Sequence, residues 1–557
     1  MLRSDLLTWA QPLADTACDV LVIGGGATGL GVAVQAALEG RRVALVEARD
    51  FACGTSSRST KLLHGGVRYL AQGRVRLVRE ALHERAVVLG LAPHLAQPLP
   101  FVVAEKNWFS WALTTIGLTL YQGLAGRLSL GPTQALGRAA LRRLLPTLPA
   151  VAAGVRYWDG QFDDARLAVA LARTAQAAGA ALRNHTRVVG LRAEGQTWAV
   201  TLEDALSGEV STVHARSVVN AAGVWVDALR QLALSDTNPR HAAAAQTTDS
   251  RVRPLVRPLV RPLVRPSQGV HLVVSRQTLP ITQAVLVPRT SDGRVLFAVP
   301  WLGSVVIGTT DTPRDDAPLE PRPMAEEMAF LFDETRRELG VALTPADVRS
   351  VWVGLRPLVD AGAGQGGRPA ASNTAAISRE HLITREADGF VTVTGGKWTT
   401  YRAMAEEVMA ELVNAGDLAA PVQAAHTESH RLWGAPPAGA AAVSLQDAPG
   451  LHLLGTAAAA VAALPGHDLP LGLGLTESLV RYAARHEWAV TVEDMLARRW
   501  RALFLDARAA EAMAPRVAEV LREETGLDPQ LAPFLALCKQ YRVPAEQNLA
   551  GAAALFA

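Results

Sequence analysis

The segment from Cys18 to Asp50 constrains the fold of this chain more than any other part of its sequence. It begins with a short apolar run, Val20–Ile23, that stops at three consecutive glycines, as buried parallel strands do. The alanine- and leucine-rich stretch Ala27–Leu38 follows, and Gly40 behind it indicates where a helix ends. A second apolar run, Val43–Glu47, completes a strand–turn–helix–strand unit. Its two strands are expected to pair in parallel through a right-handed connection.

The turn of this unit has the spacing Gly24-x-Gly26-x-x-Gly29. Gly24 permits the tight turn, Gly26 lets the backbone approach a pyrophosphate, and Gly29 lets the helix pack close to the sheet. The N–H groups at the helix start then face the phosphates. Glu47, 23 residues after Gly24, ends the second strand, where an acid accepts a hydrogen bond from a ribose hydroxyl. The unit therefore predicts a dinucleotide site; the alternative is a glycine-rich turn that binds nothing.

Two further strands end at small residues far along the chain. Ser217–Asn220 runs into Ala221-Ala222-Gly223, and Val391–Thr394 runs into Gly395-Gly396-Lys397. NAD and FAD share the glycine fingerprint. Strand-to-glycine junctions spread over about 370 residues favour one long cofactor bound across a domain, and hence FAD rather than a mobile nicotinamide.

Composition narrows the class of protein. Of the 557 residues, 49% are hydrophobic and 19% are charged, which is typical of globular chains. The net charge of +3 argues against a nucleic-acid partner, and the 3 scattered cysteines exclude a disulfide framework or a cysteine-rich zinc site. Lysine is rare, with 4 residues against 51 arginines, so each lysine is of interest. Met1–Thr16 lacks the apolar core of a signal peptide, and we expect no targeting segment there.

Seven motifs, in this order, resemble the FAD-dependent, quinone-linked glycerol-3-phosphate dehydrogenase family. They are GGGATG (24–29), TSSRSTKLLHGGVRYL (55–70), DDARL (163–167), NAAGVW (220–225), IGTTD (307–311), GLRPL (354–358) and GGKWTTYR (395–402). The stretch HEWAVTVEDMLARRW (486–500) is similar to the family's helical C-terminal domain. The resemblance implies oxidation of sn-glycerol 3-phosphate to dihydroxyacetone phosphate, with a hydride passing from C2 to flavin N5 and electrons leaving to a membrane quinone.

The resemblance also implies an α/β fold class with three parts. A Rossmann-type FAD-binding domain (17–85, 155–230 and 345–413) is interrupted by an α+β cap domain over the substrate (86–154 and 231–344). An all-helical C-terminal domain (414–557) follows. A homodimer is left open.

A dianionic substrate phosphate needs several cations where water is excluded. Arg68, Arg356 and Lys397 stand beside glycine or proline in the family motifs, and Tyr69 and His64 are expected with them at the substrate. Loss of a hydride from an alcohol also needs a general base near C2. His64 and His271 are the candidates, and we prefer His271, which begins an apolar strand. Where the family has KGSH, this chain has QGVH (268–271), so the roles of the missing lysine and serine do not carry over.

Residues expected to contact the cofactor come from these motifs and from one further strand: Gly24, Gly25, Gly26, Thr28, Gly29, Glu47, Thr55, Ser56, Ser57, Lys61, His64, Gly65, Gly66, Val188, Ala222, Gly223, Gly354, Gly396, Lys397, Trp398 and Thr399. The FAD is predicted to be non-covalent, and Cys53, the nearest nucleophile, is interpreted as structural. Asp163 and Asp164 are expected to cap a helix, and we assign no metal.

Three other functions remain open at this point. A flavin oxidase acting on amines or amino acids shares the fold but does not need phosphate-binding cations. An oxygen-reducing glycerophosphate oxidase differs only in its electron acceptor. A non-catalytic flavin sensor with a partner-binding helical domain leaves Arg68, Arg356 and Lys397 unexplained.

The charge-free stretch Asn107–Gly126 predicts a helix lying in a membrane interface. It supplies Trp108, Phe109, Trp111, Leu113, Ile116, Leu118, Leu120 and Tyr121. Arg74, Arg76 and Arg79 are expected to face anionic lipid. The implied location is the cytoplasmic face of the membrane, with peripheral attachment. The alternatives are a helix packed inside the cap domain and a spanning helix.

One segment is repetitive. Three Arg-Pro-Leu-Val units start at Arg253, Arg257 and Arg261, and Arg265-Pro266 follows them. Proline at every fourth position argues against a regular helix or a central strand. We therefore expect an extended tract on the protein surface.

Overall fold

The computed structural model describes residues 17–149, 151–234, 261–359, 381–387 and 389–543. Its strands, in chain order, are β1 (Cys18–Ile23), β2 (Val43–Val46), β3 (Leu62–Leu63), β4 (Ala96–Glu105), β5 (Gln134–Leu136), β6 (Ala153–Phe162), β7 (Ala181–Arg183), β8 (Thr186–Glu194), β9 (Thr197–Asp204), β10 (Val210–Asn220), β11 (Val264–Ser275), β12 (Ala284–Val287), β13 (Leu296–Trp301), β14 (Ser304–Gly308), β15 (Thr312–Pro313), β16 (Val348–Val359), β17 (His381–Ala387), β18 (Phe390–Gly395), β19 (Pro470–Gly472) and β20 (Leu475–Thr476).

Its α-helices are α1 (Ala27–Leu38), α2 (Val67–Ala71), α3 (Val75–Leu91), α4 (Trp108–Ala125), α5 (Arg138–Leu144), α6 (Asp164–Ala177), α7 (Val226–Ala233), α8 (Ala325–Leu339), α9 (Tyr401–Asn414), α10 (Ala458–Ala462), α11 (Glu477–His486), α12 (Ala502–Leu505), α13 (Ala507–Thr525) and α14 (Leu531–Gln540). Short 3-10 turns cover Thr55–Ser57, Gly126–Leu128, Gly223–Trp225, Trp398–Thr400 and Leu451–Ala457, and Asp494–Arg499 forms a π-helix.

The first sheet contains the predicted strand–turn–helix–strand unit, with α1 at the predicted bounds. Its strand order is β17-β18-β10-β1-β2-β7, and β18, β10, β1, β2 and β7 run parallel. The antiparallel strands β8 and β9 extend it from β10. Helices α1, α6 and α9 cover the sheet and bury their apolar faces against it. The carboxyl ends of the parallel strands therefore meet at one edge, where ligands bind in such folds.

The second sheet, in the order β15-β11-β14-β13-β12-β4-β6-β3 with β16 beside β11, forms the cap. Strands β6 and β16 belong to this sheet, although the expected boundaries place 155–162 and 348–359 in the FAD-binding domain. Both strands are apolar and glycine-containing, so their local pattern suits either sheet. Only their pairing partners, β4 and β11, decide the assignment.

The C-terminal domain begins after α9 ends at Asn414 and is mostly helical, as predicted. It is not all helical, because β19 and β20 form a small two-stranded ribbon and residues 415–450 are mainly turns. Its helices share one apolar core with α1 and α6. Trp488 meets the edge of Phe51 at 5.3 Å between ring centroids. The domain is thus packed directly on the first sheet's layer of helices.

The first two Arg-Pro-Leu-Val units lie outside the described residues. The expectation of a solvated tract is wrong for the third unit, because Leu263 and Val264 are buried against Val224 and Leu355. Strand β11 starts at Val264 and pairs with β16 from Val264 to Val274, with Pro266 opposite Pro357. Sheet pairing and apolar burial outweigh the missing proline donors here.

Candidate active site

A cavity of about 1070 Å³ follows the carboxyl ends of the first sheet and reaches under the second sheet. Its lining includes Gly24 at the end of β1, Glu47 at the end of β2 and Ala222 after β10. It also includes His271 on β11 and Arg356 on β16. One cavity therefore joins the dinucleotide turn to the residues expected at the substrate. The length of this cavity fits a long dinucleotide whose reactive end lies beside a second bound molecule.

The glycine turn is closed by contacts that leave no space for side chains. Gly24 has φ +113°, and a Cβ there would lie 2.6 Å from the carbonyl oxygen of Ala221. A Cβ on Gly29 would lie 1.9 Å from the carbonyl oxygen of Gly24. Gly26 lines the cavity at the start of α1, and the nearest atom to a Cβ there is Ser56 Oγ at 3.1 Å. The turn thus presents bare backbone to the cavity, which is what a pyrophosphate requires.

Glu47 is fixed by two backbone N–H groups. Its Oε2 accepts from Gly25 N at 2.7 Å, and its Oε1 accepts from Arg49 N at 3.0 Å. Removal of the carboxyl from water raises its pKa. The side chain lines the cavity beyond β2, where the ribose of a dinucleotide lies in this fold.

Most of the predicted cofactor residues line this one cavity: Gly24, Gly26, Thr28, Glu47, Thr55, Ser56, His64, Val188, Ala222, Gly223, Gly354, Gly396, Lys397, Trp398 and Thr399. They are held to one another by hydrogen bonds between distant segments. Ala27 N donates to Ser56 Oγ (2.9 Å), Trp398 Nε1 to the Ser56 carbonyl (2.8 Å), and Thr55 Oγ1 to the Leu355 carbonyl (2.6 Å).

The other predicted cofactor residues lie behind the wall and do not line the cavity: Gly25, Gly29, Ser57, Lys61, Gly65 and Gly66. The Ser57 carbonyl accepts from Lys61 Nζ at 2.8 Å, inside the protein. Gly65 N donates to the Tyr121 hydroxyl at 2.8 Å. These residues support the wall of the cavity, and their contact with the cofactor stays a prediction.

At the end of the cavity where the substrate is expected, Arg356 is oriented by the 309–311 segment of the IGTTD motif. Its Nη2 donates to Thr309 Oγ1 (3.1 Å) and to the Thr310 carbonyl (3.0 Å), and its Nη1 lies 3.5 Å from Asp311 Oδ1. Lys397 lines the same cavity, and its ammonium lies 4.1 Å from the ring centroid of Tyr69. Tyr69 thus contacts Lys397, and its contact with the substrate stays a prediction. Arg68 lies on α2, and its side chain is outside the described residues.

His271 is almost fully buried and lines the cavity. Its Nε2 is 3.0 Å from Thr60 Oγ1, and its ring stacks on Trp352 with centroids 4.0 Å apart. Burial lowers its pKa well below the usual value, and the charges of Lys61 and Arg356 act in the same direction. His271 is therefore a neutral imidazole near pH 7. His64 also lines the cavity, and its backbone N–H donates to Thr399 Oγ1 at 3.3 Å.

Several lining residues were not predicted. Ser59 and Thr60 stand in the 55–70 motif, where only neighbours such as Ser57 and Lys61 were predicted to contact the cofactor. The C-terminal domain adds a set of polar residues to the wall: Thr491, Glu493, Asp494, Arg498 and Gln530. Buried charges of this domain pair with the first sheet's loops, as Arg499 does with Asp50 at 2.6 and 2.8 Å. The charged residues inside the otherwise apolar stretch 486–500 were the available signal.

Asp163 and Asp164 make different contacts at the start of α6. Asp163 caps α6, as predicted, because its Oδ1 accepts from Arg166 N at 3.2 Å. Asp164 lies in the first turn of α6, where its Oδ1 accepts from Ala165 N at 2.9 Å, and its Oδ2 also pairs with Lys61 at 2.7 Å.

Comparison with known proteins agrees with this geometry. The profile of a family described as FAD dependent oxidoreductase matches residues 19–411. A second profile, the C-terminal domain of alpha-glycerophosphate oxidase, matches residues 425–532. The fold, the glycine turn and the first profile define an FAD-dependent oxidoreductase, which confirms the predicted cofactor and the α/β fold.

Individual relatives narrow the class. A mitochondrial glycerol-3-phosphate dehydrogenase of Arabidopsis thaliana is 37% identical, covering 91% of this chain and 82% of the plant protein. Glycerol-3-phosphate dehydrogenase 2 of Mycobacterium bovis is 36% identical, covering 93% and 87%. The crystal structure of a Bacillus halodurans glycerol-3-phosphate dehydrogenase complexed with FAD covers 98% of both chains, with TM-score 0.72 and 26% identity. The chain belongs to the FAD-dependent glycerol-3-phosphate dehydrogenase family.

Proposed function

We propose that this protein oxidises sn-glycerol 3-phosphate to dihydroxyacetone phosphate. Bound FAD supplies the acceptor for the hydride that leaves C2. The names of the relatives support this substrate. The observation that carries the proposal is that Arg356, Lys397 and His271 line the same cavity as Gly26 of the dinucleotide turn. Two cations and a neutral imidazole are what this reaction requires from the protein.

In this proposal, Arg356 and Lys397 bind the substrate phosphate. Thr309 and Thr310 hold the Arg356 guanidinium in one orientation, so little side-chain entropy is lost when the phosphate binds. Lys397 is steered by the face of the Tyr69 ring. A dianionic phosphate gains charge-assisted hydrogen bonds from both side chains. Arg68 is retained as a third phosphate ligand because of its motif.

His271 accepts the proton of the C2 hydroxyl. Its depressed pKa, caused first by burial, keeps the imidazole neutral and able to take a proton near pH 7. Its place on β11, in the same cavity as Arg356, supports this role. His64 is the alternative base, since it lines the cavity too.

The test is anaerobic reduction of the purified flavoprotein, followed by flavin absorbance. Glycerol 3-phosphate should bleach the flavin, whereas glycine and proline should not. Arg356→Ala and Lys397→Ala should each lower kcat/KM at least tenfold while FAD stays bound, because one charge-assisted contact in a water-poor site contributes about 2–5 kcal/mol. Arg127→Ala, at an exposed arginine on the surface, is the matched control.

Bleaching by amino acids alone would replace this function with that of an amino-acid oxidase. Bleaching by none of the substrates would indicate a sensor. Reoxidation then compares a short-chain quinone with oxygen, because the C-terminal profile is named after an oxidase. Faster reoxidation by oxygen would make the protein a glycerophosphate oxidase.

We further propose a membrane quinone as acceptor and peripheral attachment to the cytoplasmic face of the membrane. The support is the outer face of α4, which exposes large apolar side chains: Trp108, Phe109, Leu113, Ile116 and Leu120. Phe109 is 83% exposed and Trp108 is 64% exposed. Arg74, Arg76 and Arg79, at the start of neighbouring α3, are exposed as well. Among the described helices, none is both long and apolar enough to cross a bilayer.

Three residues expected on this outer face point inward instead. Leu118 and Tyr121 are buried under the cap sheet, and Tyr121 OH is bonded to Asp159 and Gly65. Trp111 is half-buried, and its Nε1 donates to the Gly154 carbonyl at 3.0 Å. The helix therefore has one face packed on the protein and one apolar outer face. Leu118, Tyr121 and Trp111 are removed from the residues predicted to lie in the membrane interface.

Phe109→Glu tests the membrane proposal. Because Phe109 is highly exposed, its replacement should leave the fold intact while weakening binding to vesicles that contain anionic phospholipid. Val422→Glu, at an equally exposed apolar residue of the C-terminal domain, is the matched control and should bind as the parent does. Parent protein that does not sediment with such vesicles would refute the proposal and require a soluble acceptor.

A further inference from the structure

Lys61 carries a charge that has no access to water. Its side chain is 0% exposed, and its Nζ donates to Asp164 Oδ2 (2.7 Å) and to the Ser57 carbonyl (2.8 Å). The ammonium also lies 4.4 Å from the ring centroid of Trp352. Burying an ammonium costs free energy that one ion pair rarely recovers in full. Because Lys61 also lies next to the end of the cavity where the substrate is expected, we expect a functional reason for the burial of this charge.

Asp164 holds the chain on both sides of Thr60. Its Oδ2 accepts from Ser59 N (3.1 Å) and Ser59 Oγ (2.7 Å), besides Lys61 Nζ. Lys61 N in turn donates to Ser59 Oγ at 3.1 Å. Arg501 pairs with the same carboxylate, since its Nη2 lies 3.3 Å from Asp164 Oδ1. A single buried carboxylate thus fixes the two neighbours of Thr60.

Thr60 and Trp352 are the two partners of the His271 ring. Thr60 Oγ1 lies 3.0 Å from Nε2, and the ring stacks on Trp352 at an interplanar angle of 16°. The Nδ1 atom has no hydrogen-bond partner among the residues that the structure describes. The orientation of His271 therefore depends on one residue adjacent to Lys61 in the chain and on one ring that Lys61 touches.

The charged groups around this histidine come from several elements. The charges of two cations, Lys61 and Arg356, act on the ring. The charged groups paired with these cations or with their partners are Asp163, Asp164, Arg501 and Asp311. Burial lowers the pKa of Lys61 to about 7, with Asp164 opposing that change, so its charge acts on His271 at acidic to neutral pH. A cation there disfavours the imidazolium form.

We propose that the buried Lys61–Asp164 ion pair positions and tunes His271: it holds Thr60 against Nε2 and places a positive charge beside the ring. Lys61 and Thr60 are positioning residues and do not take the substrate's proton. The inference rests on the proposed function, since the role of His271 as proton acceptor belongs to it.

The experiment compares Lys61→Met, Thr60→Val and Thr60→Ser as FAD-loaded full-length proteins. Lys61→Met removes the positive charge that disfavours the imidazolium, so the pKa of His271 should rise. The acid limb of the kcat/KM profile should therefore shift to higher pH by roughly one unit. Thr60→Val should lower kcat about tenfold with KM within a factor of three, because ring orientation is lost while phosphate binding is kept. Thr60→Ser restores the hydroxyl and should restore kcat. Lys106→Met, at an exposed lysine paired with Glu338, is the control and should match the parent.

A readout without substrate separates this inference from the proposed function. The His271 ring signal, identified in the NMR spectrum of 13C-histidine-labelled protein by its loss in His271→Asn, should titrate at higher pH in Lys61→Met than in the parent. An unchanged His271 titration with unchanged pH profiles would overturn the inference while the parent still oxidises glycerol 3-phosphate. If Lys61→Met does not yield folded protein, wild-type kcat in Thr60→Val overturns it. A parent that does not react with glycerol 3-phosphate refutes the proposed function instead.

Discussion

Replacing Glu487 by glutamine removes one half of a buried ion pair that joins the C-terminal domain to α6. The carboxylate accepts hydrogen bonds from both terminal nitrogens of Arg166, at 2.6 and 2.8 Å. The side chain of Glu487 is 3% exposed and that of Arg166 is 7% exposed. Removing one partner of such a pair leaves an uncompensated charge and costs about 3–5 kcal/mol. Replacing both by apolar residues of similar volume is often neutral. We therefore expect Glu487→Gln to destabilise strongly and the double change Arg166→Met with Glu487→Met to recover most of the loss.

The assay is urea unfolding in the reversible range, followed by far-UV circular dichroism and by release of flavin. Because C-terminal residues such as Asp494 and Arg498 line the cofactor cavity, flavin release should move to lower urea together with unfolding. The matched control is Glu519→Gln, which breaks an exposed pair with Arg516 and should cost no more than about 1 kcal/mol. A loss below 1 kcal/mol in Glu487→Gln, or a double change as costly as the sum of the single ones, would refute the reasoning.

The same pair predicts a pH dependence. Burial acts to raise the pKa of Glu487, but the Arg166 charge and hydrogen bonds outweigh it and hold the pKa below the usual value. A depressed carboxyl pKa adds stability that is complete above the unfolded value, about 4.3, and is lost as the pH falls through the folded value. The difference in unfolding free energy between the parent and Glu487→Gln should therefore be constant from pH 6 to 8 and shrink below about pH 4. A difference that grows on acidification would contradict this.

Three further outcomes are expected. Gly29→Ala should abolish FAD binding, because its Cβ would lie 1.9 Å from the Gly24 carbonyl oxygen; a flavin content equal to that of the parent after purification would contradict this. The FAD should leave the chain on acid precipitation, since Cys53 is interpreted as structural; flavin that stays with the pellet would show a covalent link. Deleting residues 257–260 should leave soluble flavoprotein, because a shorter connection changes the loop entropy little. Loss of flavin-bound protein in that variant, but not in a matched Arg257→Ala control, would show that the unit is packed.

Much of the candidate site could be predicted because its signals are local. The glycine turn needs bare backbone at fixed spacing, so Gly24, Gly26 and Gly29 mark it wherever the chain goes. Arg356 and Lys397 stand in short motifs whose glycine and proline hold the backbone. The bounds of α1 follow from an apolar period and a terminal glycine, which involve neighbours in the sequence only.

Contacts between distant segments could not be predicted in this way. The pattern of α4 is rich in apolar and aromatic residues, but the cap sheet alone decides that Trp111 and Tyr121 face inward and Phe109 outward. The local sequence patterns of strands β6 and β16 fit either sheet, so only their pairing partners assign them. The C-terminal residues of the cavity wall are separated from the glycine turn by more than 450 positions.

The sequence by itself determined the class of cofactor and the first strand–turn–helix–strand unit, because each depends on residue types at a fixed local spacing. The family motifs supplied the cations expected at the substrate. Only the tertiary structure decided that Lys61 lies behind the wall, bonded to Asp164, and that Thr60 meets His271. The free energy of a buried charge depends on the partner that reaches it. That partner comes from another part of the chain, where no local pattern records the contact.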